Sequence, residues 1–237
     1  MIDTIQLDRI LHSQGFGTRR ACRGLVRAGA VTVGGAACAD PFAEFDPRGF
    51  EFVLNGEPWR YREKAYVLIN KPSDYECSRS PRHHPSVLDL LPAALALRGV
   101  QPVGRLDEDT TGLLLLSDDG AFIHALTSPR RKIVKRYEVT LKHPAGEGFC
   151  RVLSGGVVLH DDPSPVAAIA CVQTDERTIR LDIDEGRYHQ VKRMVGAAGN
   201  RVEALRRIAI GRLELPPELP PGDWRWLEPV DLELVYA

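Results

Sequence analysis

Apolar positions near the N-terminus follow the spacing of two short helices. In IQLDRILHSQGFG one helical face carries Ile5, Leu7, Ile10 and Leu11, and the glycines that follow end the pattern. A second helix is predicted in TRRACRGLVRAGAV, where Thr18 is a suitable N-cap. The segment AVTVGG then predicts a short strand and a tight turn. We therefore expect a small unit of two helices and a strand at the start of the chain.

Strand-like and helical patterns are mixed over the rest of the chain. We place a domain boundary near Arg60, giving domains 1–60 and 61–237, because AYVLINKP opens a new buried strand that ends at Pro72. Further strands are predicted in RYEVTLKHP, VVLH, VAAIACVQ and TIRLDID, and helices in SVLDLLPAAL, GAFIHALTS, EGFCRVLSG and RYHQVKRMVGAAG. Because strands and helices do not alternate regularly and neighbouring strands can form hairpins, the pattern favours an α+β fold with a mixed, mainly antiparallel sheet.

The stretch VGRLDEDTTGLLLLSDDG joins a polar loop to a buried strand. Arg105 and Asp107 are two residues apart and would point to the same side of an extended segment. The loop ends at Gly112, where an apolar strand begins. A carboxylate tied in this way to a core strand is held rigidly enough for catalysis. From the local sequence alone, a turn-capping Asp107 with Arg105 as its surface partner is an equally good interpretation. We interpret Asp118 and Asp119 as a turn or a helix start.

Composition narrows the classes of protein to consider. The 237 residues are 43% hydrophobic, and no apolar segment approaches the roughly 18 residues of a membrane span. The five cysteines are scattered without a C-x-x-C pair, which indicates reduced thiols in a cytoplasmic protein. The histidines, His83, His84 and His189 among them, lack ligand spacing, and no glycine-rich phosphate loop is present. We therefore expect no metal, no cofactor and no membrane association.

Positive charge is concentrated in segments, although the chain as a whole carries a formal charge of -1. The segment from Arg9 to Arg27 contains five arginines and no acid, and further basic runs lie between Asp119 and Glu138 and after Glu185. A solvated face is one explanation, but such faces usually mix both signs, so phosphate contacts are at least as good an explanation. The candidate RNA-binding residues are Arg9, Arg19, Arg20, Arg23, Arg27, Arg105, Arg130, Arg131, Lys132, Lys135, Arg187, His189 and Arg193.

Three motifs in a fixed order resemble one enzyme family. GRLDEDTTGLLLLSDDG, KRYEVTL and EGRYHQVKRMVGAAGNRVEALRRIAIG are similar to the signature blocks of pseudouridine synthases of the RsuA and RluB/E/F type, and INKP matches the strand that opens their catalytic domain. The N-terminal helix pair with its V-x-V-x-G strand resembles the S4 RNA-binding domain. The resemblance covers nearly the whole chain and implies an isomerase that converts uridine to pseudouridine in RNA.

The resemblance also implies the catalytic residues. Asp107 matches the family's catalytic aspartate, which acts as a nucleophile or as a base at the sugar. Tyr137 would stack on the detached base and exchange a proton through its phenol. Lys192 is the cation expected beside Asp107, where it keeps the carboxylate ionised. Without the motifs, Tyr137 is equally a core residue of a strand and Lys192 an exposed residue of a helix.

Within the family, SPRRKIVKRY and EGRYHQVKRM resemble blocks of the small-subunit enzyme, which implies one uridine of 16S ribosomal RNA as the target. A 23S ribosomal RNA or transfer RNA target is the alternative inside the family. Two other hypotheses are a non-catalytic S4 protein that acts in ribosome assembly and a glycoside hydrolase that uses Asp107 and Asp109 as its acid pair. We expect a monomer, since two domains joined by a hinge can form a cleft without a partner.

Overall fold

The computed structural model describes residues 3–160 and 162–237, which divide into two compact units. The first unit comprises Met1–Ala65 together with Leu91–Gln101, and the second comprises Tyr66–Leu90 together with Pro102–Ala237. The chain therefore leaves the second unit and returns to it, a path that the sequence pattern does not reveal. The domain boundary near Arg60 stays a prediction.

The first unit contains helices and small antiparallel sheets. Its helices are α1 (Leu7–Ser13), α2 (Arg19–Arg27) and α3 (Ala93–Arg98), and its strands are β1 (Ile5–Gln6), β2 (Val31–Val33), β3 (Ala36–Ala37), β4 (Glu44–Phe45), β5 (Glu51–Leu54) and β6 (Glu57–Arg60). The sheet order is β3–β2–β5–β6, with β1 paired to β4 separately. The Thr18 hydroxyl accepts a hydrogen bond from the backbone N–H of Ala21 at 3.2 Å, which confirms the predicted N-cap. The apolar faces of α1 and α2 and the strand β5 supply the buried core.

One predicted helix is divided in the structure. The pattern SVLDLLPAAL predicts a continuous helix, but the chain forms a 3₁₀ turn over Val87–Leu90 and starts α3 only at Ala93. Pro92 lies between them, and proline has no N–H to donate into a helix interior. The prediction of one helix was therefore wrong at this proline.

The second unit is built on one large sheet. The strands of this sheet are β7 (Tyr66–Lys71), β8 (Gln101–Pro102, where the chain re-enters the unit), β9 (Thr111–Ser117), β10 (Lys135–Leu141), β13 (Ala170–Asp175), β14 (Thr178–Ile183), β15 (Val202–Ile210), β16 (Leu213–Glu214) and β17 (Trp224–Trp226). Strands β11 (Val157–Leu159) and β12 (Asp162–Val166) form a separate two-stranded sheet. The helices are α4 (Gly120–Thr127), α5 (Phe149–Gly155), α6 (Gln190–Ala197) and α7 (Pro229–Val235), with a 3₁₀ turn at Pro129–Arg131. The sheet follows the order β13–β14–β10–β15–β9–β7–β17. Its pairings are antiparallel except the parallel pair β15–β9, which confirms an α+β fold with a mainly antiparallel sheet.

Strand β9 occupies the interior of this sheet. The four leucines Leu113–Leu116 are fully buried, because both faces of the strand are covered. Gly112, the second residue of the strand, has φ +100°, and a Cβ at this position would lie 2.2 Å from the carbonyl oxygen of Arg207. Only glycine allows β9 to approach β15 this closely. Asp119 caps α4 through hydrogen bonds from Ala121 and Phe122, as predicted for the acidic pair.

Several elements were missed by the sequence pattern. Strand β15 is a central strand, yet its sequence VEALRRIAI interrupts apolar alternation with three charged residues. Strand β17 and helix α7 at the C-terminus were also not predicted. Strand β15 matters most, because it carries part of the site described next.

Candidate active site

The second unit contains a cavity of about 780 Å³, a volume typical of ligand pockets. Asp107, Tyr137 and Lys192 all line it, although they come from a loop, strand β10 and helix α6. The structure thus brings the three predicted catalytic residues to one cavity.

Ionic contacts surround the Asp107 carboxylate. Lys192 Nζ lies 3.1 Å from Asp107 Oδ2, and His189 Nε2 lies 3.3 Å from Oδ1. The same ammonium lies 2.6 Å from Asp109 Oδ1, so that it bridges two carboxylates. Asp107 is only partly exposed, whereas Asp109 is largely open to solvent. The role of Asp109 as a second partner of the lysine was missed by the sequence analysis.

The charge states of this cluster follow from its contacts. Burial is the largest single influence and would raise the pKa of Asp109, but the hydrogen bond and the charge of Lys192, together with hydrogen bonds from the Asp109 backbone and Thr110, lower it overall. Burial would likewise lower the pKa of Lys192, but hydrogen bonds to Asp109 and Asp107 raise it. Both groups are therefore charged at neutral pH, and the ammonium remains available as the counter-ion of Asp107.

A buried lysine holds the loop that carries Asp107. Lys71, at the end of β7, is fully buried, and burial lowers its pKa from the usual value. Its ammonium donates hydrogen bonds to the backbone carbonyls of Pro72 (3.0 Å), Glu108 (2.9 Å) and Thr110 (2.9 Å). The loop is thus tied to the strand INKP directly after Asp107 and on both sides of Asp109. The sequence analysis assigned no role to Lys71, although a lysine at the end of a buried apolar strand is a usable signal.

Three side chains form the wall of the cavity on strands β10 and β15. Tyr137 and Arg207 are both buried and face each other across the two strands, next to a register shift between Arg136 and Tyr137. Lys135, also on β10, lines the same cavity. Burial, followed by the Arg207 guanidinium, lowers the pKa of Lys135, and Asp184 acts in the opposite direction. This wall is therefore rich in positive charge.

An aromatic pair lies at the start of α6. The rings of Tyr188 and His189 are stacked with centroids 3.8 Å apart, and Tyr188 is 76% exposed. His189 has a positive φ of 47°, which places its ring against Asp107 on one side and Tyr188 on the other. His189 was predicted as an RNA-binding residue, and the structure additionally places it beside the carboxylate.

The other predicted RNA-binding residues of this unit differ in their surroundings. Arg105 is exposed and lines the cavity with Asp107. Arg130, Arg131 and Lys132 are exposed around the 3₁₀ turn Pro129–Arg131. Arg187 lies 2.6 Å from Asp162 and 3.3 Å from Glu185, so its charge is compensated within the protein. Arg193 donates to the carbonyl of Tyr188 at 3.1 Å and supports the turn before α6.

The arginines of the first unit also fall into two groups. The buried Asp8 accepts hydrogen bonds from Arg19 at 3.1 Å and Arg23 at 2.7 Å, whereas Arg9, Arg20 and Arg27 are exposed. Burial would raise the pKa of Asp8, but the hydrogen bonds from Arg23 and Arg19 lower it overall. The segment from Arg9 to Arg27 therefore carries less uncompensated charge than its sequence indicates, because the acid just before it is paired with two of its arginines.

Two negative findings concern only the residues that the structure describes. Within residues 3–160 and 162–237, no helix is long and apolar enough to cross a membrane. In the same ranges, no group of three or more His, Cys, Asp or Glu side chains is placed to hold a metal ion.

Comparisons with known proteins agree with the motifs. Residues 65–197 match the family described as RNA pseudouridylate synthase. A Bacillus subtilis protein named as an uncharacterized RNA pseudouridine synthase is 37% identical, with 98% of each chain covered. The ribosomal small subunit pseudouridine synthase A of Escherichia coli is 37% identical, with 93% of this chain and 95% of that protein covered. A crystal structure of a pseudouridylate synthase superimposes with a TM-score of 0.69 and 32% identity, over 98% of this chain and 99% of that one. These matches show that the chain belongs to the RNA pseudouridylate synthase family.

Proposed function

We propose that this protein converts one uridine of 16S ribosomal RNA to pseudouridine, and that Asp107 is the group that acts on the sugar. The observation that carries the proposal is the partly buried Asp107 carboxylate, paired with Lys192 at 3.1 Å in the cavity that Tyr137 also lines. The 16S target is supported by the relatives named as ribosomal small subunit pseudouridine synthases, among them the proteins of Escherichia coli and Yersinia pestis.

The reaction exchanges an N–C bond for a C–C bond at C1′ of the sugar and moves one proton of the base. The N1–C1′ bond breaks and its electron pair leaves with the uracil, while Asp107 either bonds to the sugar or removes a proton from it. The uracil then turns and C5 bonds to C1′, while the Asp107–sugar bond breaks or the removed proton returns to the sugar, which restores the carboxylate. C5 finally loses its proton and N1 gains one. No oxidant, reductant or cofactor is consumed, because substrate and product are isomers.

The neighbours of Asp107 support this chemistry. Lys192 Nζ, 3.1 Å from Asp107 Oδ2, supplies a positive charge beside the carboxylate. The buried Tyr137 offers a ring face to the base and a phenol that can exchange the proton. His189, at 3.3 Å, fixes the orientation of the other carboxylate oxygen.

RNA would be bound mainly through phosphates. The exposed cations of the second unit, including Arg105 and Lys132, are placed for phosphate contacts that offset the cost of extruding the target nucleotide, which amounts to a few kcal/mol. The first unit would act as an S4-like RNA-binding domain through Arg9, Arg20 and Arg27, with Arg19 and Arg23 holding its helices on Asp8. We also propose that the protein acts as a monomer in the cytoplasm.

The decisive experiment replaces the two carboxylates that share Lys192. Asp107→Asn should abolish tritium release from 5-³H-uridine in ribosomal RNA, whereas RNA binding should persist. Asp109→Asn is the matched control, because its carboxylate contacts the same ammonium but is far more exposed, and it should retain activity to within about tenfold. Full activity of Asp107→Asn would refute the assignment. RNA binding without turnover by the wild type would favour the non-catalytic alternative.

The target is tested in cells. Carbodiimide mapping of RNA from cells that lack the protein should show the loss of one pseudouridine in 16S ribosomal RNA. Restoration by the wild-type chain, but not by Asp107→Asn, excludes an indirect effect. Loss at a 23S or transfer RNA position would overturn the 16S assignment and leave the enzyme class intact.

A further inference from the structure

A buried guanidinium in the cavity wall has an unused hydrogen-bond donor. Arg207 is 5% exposed and its Nε donates to the carbonyl of Leu113 at 2.8 Å. Its Nη2 is buried and, among residues 3–160 and 162–237, meets no hydrogen-bond acceptor. An unpaired buried donor costs about 1–3 kcal/mol, and a ligand that accepts a hydrogen bond from Arg207 Nη2 would remove this cost.

The position of Arg207 indicates which part of a substrate it would meet. Arg207 lies directly opposite Tyr137 on neighbouring strands, so that both side chains project from the same face of the sheet into the cavity. A base stacked on the Tyr137 ring presents its edge, with the exocyclic oxygens, to the neighbouring position. The phosphates of a flipped nucleotide stay with the RNA backbone near the mouth, where Arg105 is exposed. The depth of Arg207 therefore favours the base over the phosphate.

The surroundings of Arg207 suit a developing negative charge. Lys135 and Arg207 both line the cavity, and burial together with the Arg207 guanidinium lowers the pKa of Lys135, so two cations contribute to this wall. Among the described residues no carboxylate forms an ion pair with Arg207. When the N1–C1′ bond breaks, the electron pair that leaves with the uracil spreads onto its two carbonyl oxygens. Fixed donors aimed at such oxygens stabilise the transition state most effectively in a water-poor site.

We propose that Arg207 is a further catalytic residue, whose Nη2 donates a hydrogen bond to a carbonyl oxygen of the flipped uracil and stabilises the uracil anion after the glycosidic bond breaks. This inference rests on the proposed function, because it requires uridine as the substrate. Arg207 would also hold the ring by one edge while it turns, and so keep the detached base in the cavity.

Single-turnover kinetics with enzyme variants provides the first test. Arg207→Gln should lower the rate of pseudouridine formation by ~10²–10³-fold, with the dissociation constant for RNA changed less than about threefold. Arg206→Gln is the matched control, because this neighbouring arginine is exposed on the other side of β15 and loses the same charge. Arg207→Lys keeps a cation for folding and should recover only part of the rate. Equal effects of Arg206→Gln and Arg207→Gln would overturn the proposal.

Substrate analogues identify the group that Arg207 contacts. Short RNAs would carry 2-thiouridine, 4-thiouridine or a methylphosphonate 5′ to the target, and nucleoside chromatography would follow the product. One of the two thio substitutions should slow the wild type but should not slow Arg207→Gln any further. The reason is that the thio substitution and the loss of the guanidinium remove the same hydrogen bond. The proposal is wrong if each thio analogue slows the wild type and Arg207→Gln by the same factor. It is also wrong if the rate losses from the methylphosphonate and from Arg207→Gln are not additive, because that result would indicate a phosphate contact.

The two proposals fail in different ways. A wild type that does not turn over uridine would refute the proposed function, and the role of Arg207 with it. A wild type with normal turnover and no special effect of Arg207 would refute the role of Arg207 alone. If Arg207→Gln does not fold, the rates of Arg207→Lys and of the wild type with the thio analogues are compared instead. A wild type whose rate is unaffected by both analogues would then overturn the proposal.

Discussion

Two buried cations near the cavity, Lys71 and Arg207, differ in how completely the protein uses them. The ammonium of Lys71 donates three hydrogen bonds, which the backbone carbonyls of Pro72, Glu108 and Thr110 accept. The guanidinium of Arg207 has a protein acceptor for Nε, while its Nη2 has none among the described residues. Lys71 is thus complete without a ligand and Arg207 is not. The difference teaches that burial of a charge does not by itself distinguish a structural residue from a substrate-binding one, so the hydrogen-bond partners of each donor have to be considered as well.

The largest effect on stability is expected from Lys71→Met. The substitution keeps most of the side-chain volume but leaves three carbonyls around the loop without their donor, so the free energy of unfolding should fall by about 3–5 kcal/mol. Urea unfolding followed by circular dichroism measures this change. If Lys71→Met is as stable as the wild type, Lys71 does not have the structural role that distinguishes it from Arg207.

A buried charge in the first unit gives the next effect. Asp8→Asn removes the anion that Arg19 and Arg23 share, and we expect a loss of about 2–3 kcal/mol, less than for fully buried pairs because both guanidiniums are partly exposed. The folded-state pKa of Asp8 is lowered below its usual value of 3.8, so its contribution is present above pH 3.8 and disappears as the pH falls through the folded-state pKa. Acid titration of stability should show this step in the wild type and not in Asp8→Asn.

A smaller effect on stability is expected from Arg207→Met. The change removes one hydrogen bond to Leu113, but it also removes a buried charge with an unused donor, so the two contributions nearly cancel. The free energy of unfolding should change by less than about 1 kcal/mol, although activity should be lost. Urea unfolding beside the Lys71→Met variant provides the measurement. A loss as large as that of Lys71→Met would identify Arg207 as a structural residue.

The smallest effect is expected from Lys132→Ala on the surface. Lys132 is 75% exposed and its ammonium lies 3.5 Å from Asp184, so stability should change by less than about 0.5 kcal/mol. If Lys132 contacts a phosphate, the slope of the logarithm of RNA affinity against the logarithm of salt concentration should fall by about 1. Filter binding across salt concentrations checks this. An unchanged slope would remove Lys132 from the RNA-binding surface.

The sequence was sufficient for features that depend on local patterns. The fully buried run Leu113–Leu116, the Thr18 cap and the Asp119 helix start were all predicted, because apolar runs and capping side chains act over a few residues. The motifs also indicated Asp107, Tyr137 and Lys192, which the structure brings to one cavity. Strand β15 was not predicted because its arginines interrupt the alternation of apolar residues. One of these arginines is the buried Arg207.

The amino-acid sequence by itself determined the family and the α+β class, and it predicted Asp107 as the catalytic carboxylate, since all three depend on residue types at fixed spacing. Only the tertiary structure decided which charges are compensated. Asp8 lies just outside the basic segment that it neutralises, and Lys71 reaches carbonyls far along the chain. Whether a charge is paired depends on distances of a few ångströms in space, and separation along the chain does not determine those distances.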